Sequence, residues 1–143
     1  MIKEALASSD LAWEEIHCNR GEYLIEAGQV ERHIYFIVSG AFRAFTYVEE
    51  EEFTIRFGYK ESIITSLPSY FDNSVSETYI QAIRKSKVFR CQKEAFEEFV
   101  ESDIQHLITY KKVMQDLVSS LLEREIDLMQ NSPSLRLERV LAR

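Results

Sequence analysis

The stretch 21–40, GEYLIEAGQVERHIYFIVSG, constrains the fold more tightly than any other part of the chain. It carries three of the four glycines, and each falls where an apolar run begins or ends. Gly21 precedes Tyr23, Leu24 and Ile25, Gly28 follows them, and Gly40 closes the β-branched and aromatic run 33–38. Glycine reaches positive φ without steric cost, so it suits corners at which a strand stops and reverses. Short strands punctuated in this way predict a small antiparallel β-barrel or jelly roll.

The neighbouring segments extend that pattern. Residues 2–11 predict a short helix with Ile2, Leu6 and Leu11 on one side. Alternation over 13–18 places Ile16 and Cys18 on one face of a strand and Glu15 and His17 on the other, His17 being solvated. Run 41–48 predicts a further strand. In 53–57, Phe53, Ile55 and Phe57 share one face and Thr54 and Arg56 the other. The four adjacent acids Glu49, Glu50, Glu51 and Glu52 between them read as a solvated hairpin tip that also discourages edge pairing.

Segment 58–77 carries Pro68 and the polar group Asp72, Asn73, Ser74, which a central strand does not tolerate, and predicts a loop with one helical turn. Strands resume at 78–83 and 87–91. The apolar period then changes from two toward 3.6. A short helix over 93–100 buries Phe96, Phe99 and Val100, and Ser102 with Gln105 has the spacing of a capping box. The helix that follows, 103–130, is about 40 Å long. Along it Leu107, Tyr110, Met114, Leu117, Leu121 and Leu128 recur at steps of three and four, interrupted by Arg124 and flanked by Ile104, Ile108, Val118, Leu122 and Met129. Such a stripe fits a coiled-coil dimer seam or a helix packed on its own barrel; the length favours the dimer. Asn131, Ser132 and Pro133 stop this helix and start an amphipathic one, with Leu137, Val140 and Leu141 on one side.

At 143 residues and 45% apolar composition the chain suits one core with an appendage. No apolar run is long enough for a membrane span, and the N-terminus lacks the features of a secretory signal, so a cytoplasmic location is expected. Cys18 and Cys91 read as buried, reduced thiols. The net charge of −7 opposes duplex binding by this segment as a whole. His17, His33 and His106 are too dispersed for a metal set, and His106 alone is placed to ligate a haem. The chain reads as a binding protein and not as an enzyme.

Gly21, Leu24, Ile25, Gly28, Ile34, Tyr35, Ile37, Ser39 and Gly40 together resemble the cyclic-nucleotide-binding domain of the Crp/Fnr transcription regulators. The resemblance implies a barrel sensor over 1–101, a dimerisation helix over 102–131, and over 132–143 the start of a helix-turn-helix DNA-binding domain whose remainder is missing. It also makes the lack of a four-cysteine set an argument against an iron–sulfur member.

In such domains the loop corresponding to 58–82 is a phosphate cassette: a short helix facing the cyclic phosphate, a Glu for the ribose and an Arg for the phosphate. The resemblance puts Ser76 at the Arg position with Glu77 beside it, and places the Glu position near Ile63. Both polar anchors are absent, so ordinary cyclic AMP is not expected to bind. Ser66, Ser69, Ser76 and Thr78 offer hydroxyls to another small effector or simply cap turns. The sequence defines no cofactor and no metal site. The reading is the effector-sensing and dimerising portion of a Crp/Fnr-like regulator; the alternative is a stand-alone ligand-binding barrel.

Overall fold

The computed structural model describes residues 11–129. The helices expected at 2–11 and beyond residue 131 lie outside the described residues, apart from Leu11, which is buried. Eight strands form two four-stranded antiparallel sheets. The first takes the order β1 (Glu14–Cys18), β8 (Ser86–Gln92), β3 (His33–Ser39), β6 (Ile63–Ile64). The second takes β2 (Tyr23–Ile25), β7 (Tyr79–Ala82), β4 (Ala41–Val48), β5 (Glu51–Tyr59). Three helices complete the described residues: α1 (Leu67–Asp72), α2 (Lys93–Glu101) and α3 (Ile104–Leu128). This is the jelly roll with a long C-terminal helix that the glycine spacing and the final apolar stripe predict.

Period-two alternation divides the apolar residues between two cores. Tyr35, Ile37, Phe42, Ile80 and Val88 pack between the sheets, each contributing about 1.5–3 kcal/mol of burial. Ile34 and Cys91 point the other way, to a second cluster where Tyr70, Phe96 and Val100 cover the outer face of the first sheet. Cys18 therefore belongs to one core and Cys91 to the other, and both are free thiols.

Gly21, Gly28 and Gly40 all have positive φ, as their corner positions require. Gly40 is further constrained, because a Cβ there would sit 2.6 Å from the Cα of Ser86. The Ser86 hydroxyl instead receives the Ala41 N–H at 3.0 Å, which locks the β3–β4 corner onto β8.

Several local expectations change. The hairpin tip is only Glu49 and Glu50, with φ of 53° and 68°, while Glu51 and Glu52 already pair with Val48 and Tyr47 in the ladder. Glu52 also ion-pairs with Arg43. A bulge lets Ala44 pair with Arg56 and Phe45 with Thr54, skipping Ile55. Alternation fails there: Phe53 and Phe57 are exposed, and Thr54, Ile55 and Arg56 are all half-buried. Two residues form β6, too short for a pattern to announce. Asp103, and not Ser102, caps α3 by accepting the Gln105 N–H at 2.8 Å. Ser102 ends α2, its hydroxyl donating to the Phe99 carbonyl. Phe99 is half-buried and stacks on His106 with ring centroids 4.5 Å apart.

Candidate functional site

Of the segment 58–77 expected to be a loop, residues 58–59 end β5 and 63–64 form β6, and the turn-forming residues that follow build a cleft at one end of the sandwich. Pro68 sets the first turn of α1, and Asn73 ends that helix in the left-handed conformation, with φ of 61°. The chain then runs back beside residues 28–30: Gly28 N–H donates to the Ser76 carbonyl at 2.9 Å and Ser76 N–H to the Gln29 carbonyl at 2.7 Å. The resulting cavity, of about 390 Å³, is lined by Thr46, Ile55, Ser66, Pro68, Ser69 and residues 74–78.

The structure thus brings together Ser66, Ser69, Ser76, Glu77 and Thr78 and leaves Ile63 out. Ile63 lies in β6 and lines a separate cavity that faces α3. The residue opposite Ser76 is Ser66, their hydroxyl oxygens 2.7 Å apart. Ser76 Oγ also donates to the Thr78 carbonyl at 2.8 Å and receives its N–H at 3.0 Å. Ser69 Oγ donates to the Ser74 carbonyl and accepts the Glu31 N–H at 2.8 Å. Ser66, Ser69 and Ser76 are almost fully buried, and their hydroxyls are engaged with one another and with the surrounding backbone. Glu77 is exposed, and its carbonyl accepts the Thr46 hydroxyl at 2.8 Å. Among the described residues no lysine or arginine lines the cleft.

Sequence reasoning missed Glu31, which is 1% exposed. Its carboxylate accepts the His33 N–H at 3.1 Å and the Ser66 N–H at 3.2 Å, tying the entrance of α1 to the start of β3. Burial pushes its pKa up, opposed by these hydrogen bonds. A lone glutamate two residues ahead of a strand carries no pattern; only the fold shows that it faces inward.

A second missed group joins the cassette to the long helix. Tyr70 of α1, 1% exposed, donates to Glu97 Oε1 of α2, and Tyr110 of α3 donates to the same oxygen. Both phenols have raised pKa values, that of Tyr110 pushed up to about 12 by burial and by Glu97. Along α3 the other named residues divide. Tyr110, Met114, Leu117 and Leu121 are half-buried, the first three lining a cavity that faces the barrel, whereas Leu107 and Leu128 are exposed. Ile104, Ile108, Val118, Leu122 and Met129, the flanking line, are all more than half exposed. Arg124 turns inward, donating to the Thr54 carbonyl at 3.1 Å. His106 packs against Phe99, and no group of three metal-ligating side chains occurs among the described residues.

The cyclic nucleotide-binding domain family model matches residues 15–103, and the chain belongs to that family. No protein of curated function matches it by sequence. Among solved structures it is similar to a double mutant of CooA from Carboxydothermus hydrogenoformans, with 20% identity and a TM-score of 0.73 over 90% of this chain and 56% of that one. It is similar to the sensor domain of the transcriptional regulator DNR from Pseudomonas aeruginosa, with 17% identity and a TM-score of 0.65 over 92% of this chain and 83% of that one. The Thermus thermophilus catabolite activator protein gives 18% identity and a TM-score of 0.67 over 89% of this chain and 55% of that one. The chain spans little more than half of the CooA and catabolite activator chains. These likenesses establish the fold that the Crp/Fnr resemblance implies. No helix among the described residues is long and apolar enough to cross a membrane.

Proposed function

We propose that the chain is the effector-sensing and dimerising portion of a Crp/Fnr-like transcription regulator whose effector is not ordinary cyclic AMP. The observation that carries this reading is the contact of Tyr70 and Tyr110 through Glu97, which links the cassette helix physically to a long helix. That helix presents Ile104, Ile108, Val118, Leu122 and Met129 on one heptad line, interrupted by Lys111, Gln115 and Glu125. An exposed apolar line of this length is an interaction surface, and a second copy of the same helix satisfies it symmetrically. A free-standing ligand barrel leaves it without a use. The acidic net charge fits DNA contacts made outside residues 11–129.

The test is a fusion to a DNA-binding head that represses a reporter only as a dimer, with light scattering on the unfused chain. Repression and a dimeric mass are expected. Val118→Glu with Leu122→Glu places four carboxylates across a twofold seam and should abolish both, because unpaired charge is costly to bury. A monomeric parent chain rules the reading out.

A further inference from the structure

The cassette cleft does not account for the second cavity, of about 260 Å³, between the barrel and α3. Its floor includes Ile34, Ile63 and Phe71, and its roof Val113 and Met114 of the long helix. In this apolar setting stands a cation, Arg56, the one that lines the cavity among the described residues. The β5 bulge puts it there: skipping Ile55 brings Arg56 to a half-buried position that the outward-facing alternation would deny it.

Arg56 donates Nη2 to the Ile63 carbonyl at 3.1 Å, and among the described residues no carboxylate lies within ion-pair distance of it. A guanidinium has five N–H donors in a planar fork, and Arg56, which lines the cavity, engages Nη2 alone in the bond to Ile63. Burial lowers its pKa with no opposing charge to offset the loss of water. The other polar groups on the wall are committed elsewhere: the Tyr70 and Tyr110 phenols to Glu97, the Ser62 hydroxyl to Tyr59, and the Thr65 hydroxyl to His33. Glu61 also lines the cavity and is exposed to solvent.

We propose that this cavity binds a small amphiphilic carboxylate, its head on the Arg56 fork and its alkyl or aryl body against Ile34, Ile63, Phe71, Val113 and Met114. The planar fork matches a carboxylate in bidentate geometry, whereas a single cation among apolar walls does not match the fuller donor set that inorganic phosphate needs. Size sets the body. Scaled from the ~150 Å³ cavity that holds benzene, the space takes about ten non-hydrogen atoms, the size of octanoate or phenylpropionate. Because the ligand would touch Val113 and Met114 of α3 and Leu67 and Phe71 of α1, filling the cavity draws the long helix onto the barrel. The proposal extends the regulator reading by naming an effector class, but its test reads binding alone, so its failure leaves the dimerisation test untouched.

The experiment is calorimetric titration of the chain with octanoate, octan-1-ol and inorganic phosphate. Octanoate is expected to bind with a dissociation constant near about 0.1 mM, with the alcohol at least about tenfold weaker. Phosphate should give no heat. Arg56→Gln should erase the preference for the acid over the alcohol. Val113→Trp, which fills the cavity from a half-exposed helix position, should abolish binding of both even where Arg56→Gln proves unstable. Equal affinity for alcohol and acid, binding of phosphate, no heat with octanoate at millimolar concentration, or octanoate binding untouched by Val113→Trp overturns the proposal.

Discussion

Tyr70 and Tyr110 meet at a single carboxylate oxygen: Glu97 Oε1 accepts one phenol at 2.6 Å and the other at 3.3 Å. The first bond is short and the second longer, and both are half-buried. Hydrogen bonds to a charged acceptor are worth about 1.5–3 kcal/mol, so Tyr70→Phe is expected to cost about 2 kcal/mol and Tyr110→Phe less than about 1. Urea unfolding of both single variants and the double variant measures the coupling, and strict additivity denies that the two share an acceptor. The phenols also set an alkaline limit. Because the Tyr70 pKa is raised by burial and by Glu97, the unfolded chain loses this proton near pH 10 while the native state keeps it. Stability is then fully present below that pH and declines above it, less steeply in Tyr70→Phe.

The Glu49–Glu50 turn holds two non-glycine residues in the left-handed region. A two-residue hairpin loop of this hand prefers Asn-Gly, and each glutamate there carries a steric cost. Glu49→Asn with Glu50→Gly should stabilise the chain by about 1 kcal/mol and raise its thermal midpoint. An unchanged or lower midpoint contradicts the turn geometry.

Much of the barrel was legible because its signals are local. Gly21, Gly28 and Gly40 mark corners, and the runs 33–38 and 41–48 match β3 and β4 closely. What escaped depends on long-range pairing. The bulge at Ile55 is fixed by where β4 needs Phe45 buried, and nothing inside 53–57 reveals it. Five of the six cassette residues converge because one loop carries them; Ile63 departs because the short β6 pairing with Tyr35 and Phe36 places it at the α3 side. Glu31 and Glu97 act through partners 35 and 27 residues away, beyond any periodicity.

Cyclic AMP and cyclic GMP should give no binding at micromolar concentration. Where the resemblance implies an arginine for the phosphate, Ser76 bonds to Ser66 and Thr78, and the exposed Glu77 carboxylate adds repulsion. An unpaired buried phosphate costs several kcal/mol, more than hydroxyls already engaged with one another return. The pairing of Ser66 with Ser76 also moves the ribose-side change from Ile63 to Ser66. Ser66→Glu with Ser76→Arg, and Glu77→Gln to remove the repulsion, is the combination expected to gain binding. Calorimetric titration decides it, and micromolar affinity in the unmodified chain shows that the cassette backbone suffices.

Glu31 sets an acid-side response of unusual sign. Most native carboxylates are held below their ordinary pKa, and acid destabilises them; burial instead raises that of Glu31, against the opposing pull of the Ser66 and His33 N–H groups. The native state therefore takes up this proton at a higher pH than the unfolded chain, whose carboxyl titrates near about 4.3. Below that ordinary value both states are protonated and the group contributes no penalty. Above the raised value the native state carries a buried charge, so stability falls as pH rises through the window between the two. Glu31→Gln lowers stability at every pH, because one of the two N–H groups loses its acceptor, but it removes this slope. Urea midpoints collected from pH 4.5 to 7 for both proteins give the difference, which should shrink as pH rises. A difference that stays constant across the range shows that Glu31 does not titrate in that window.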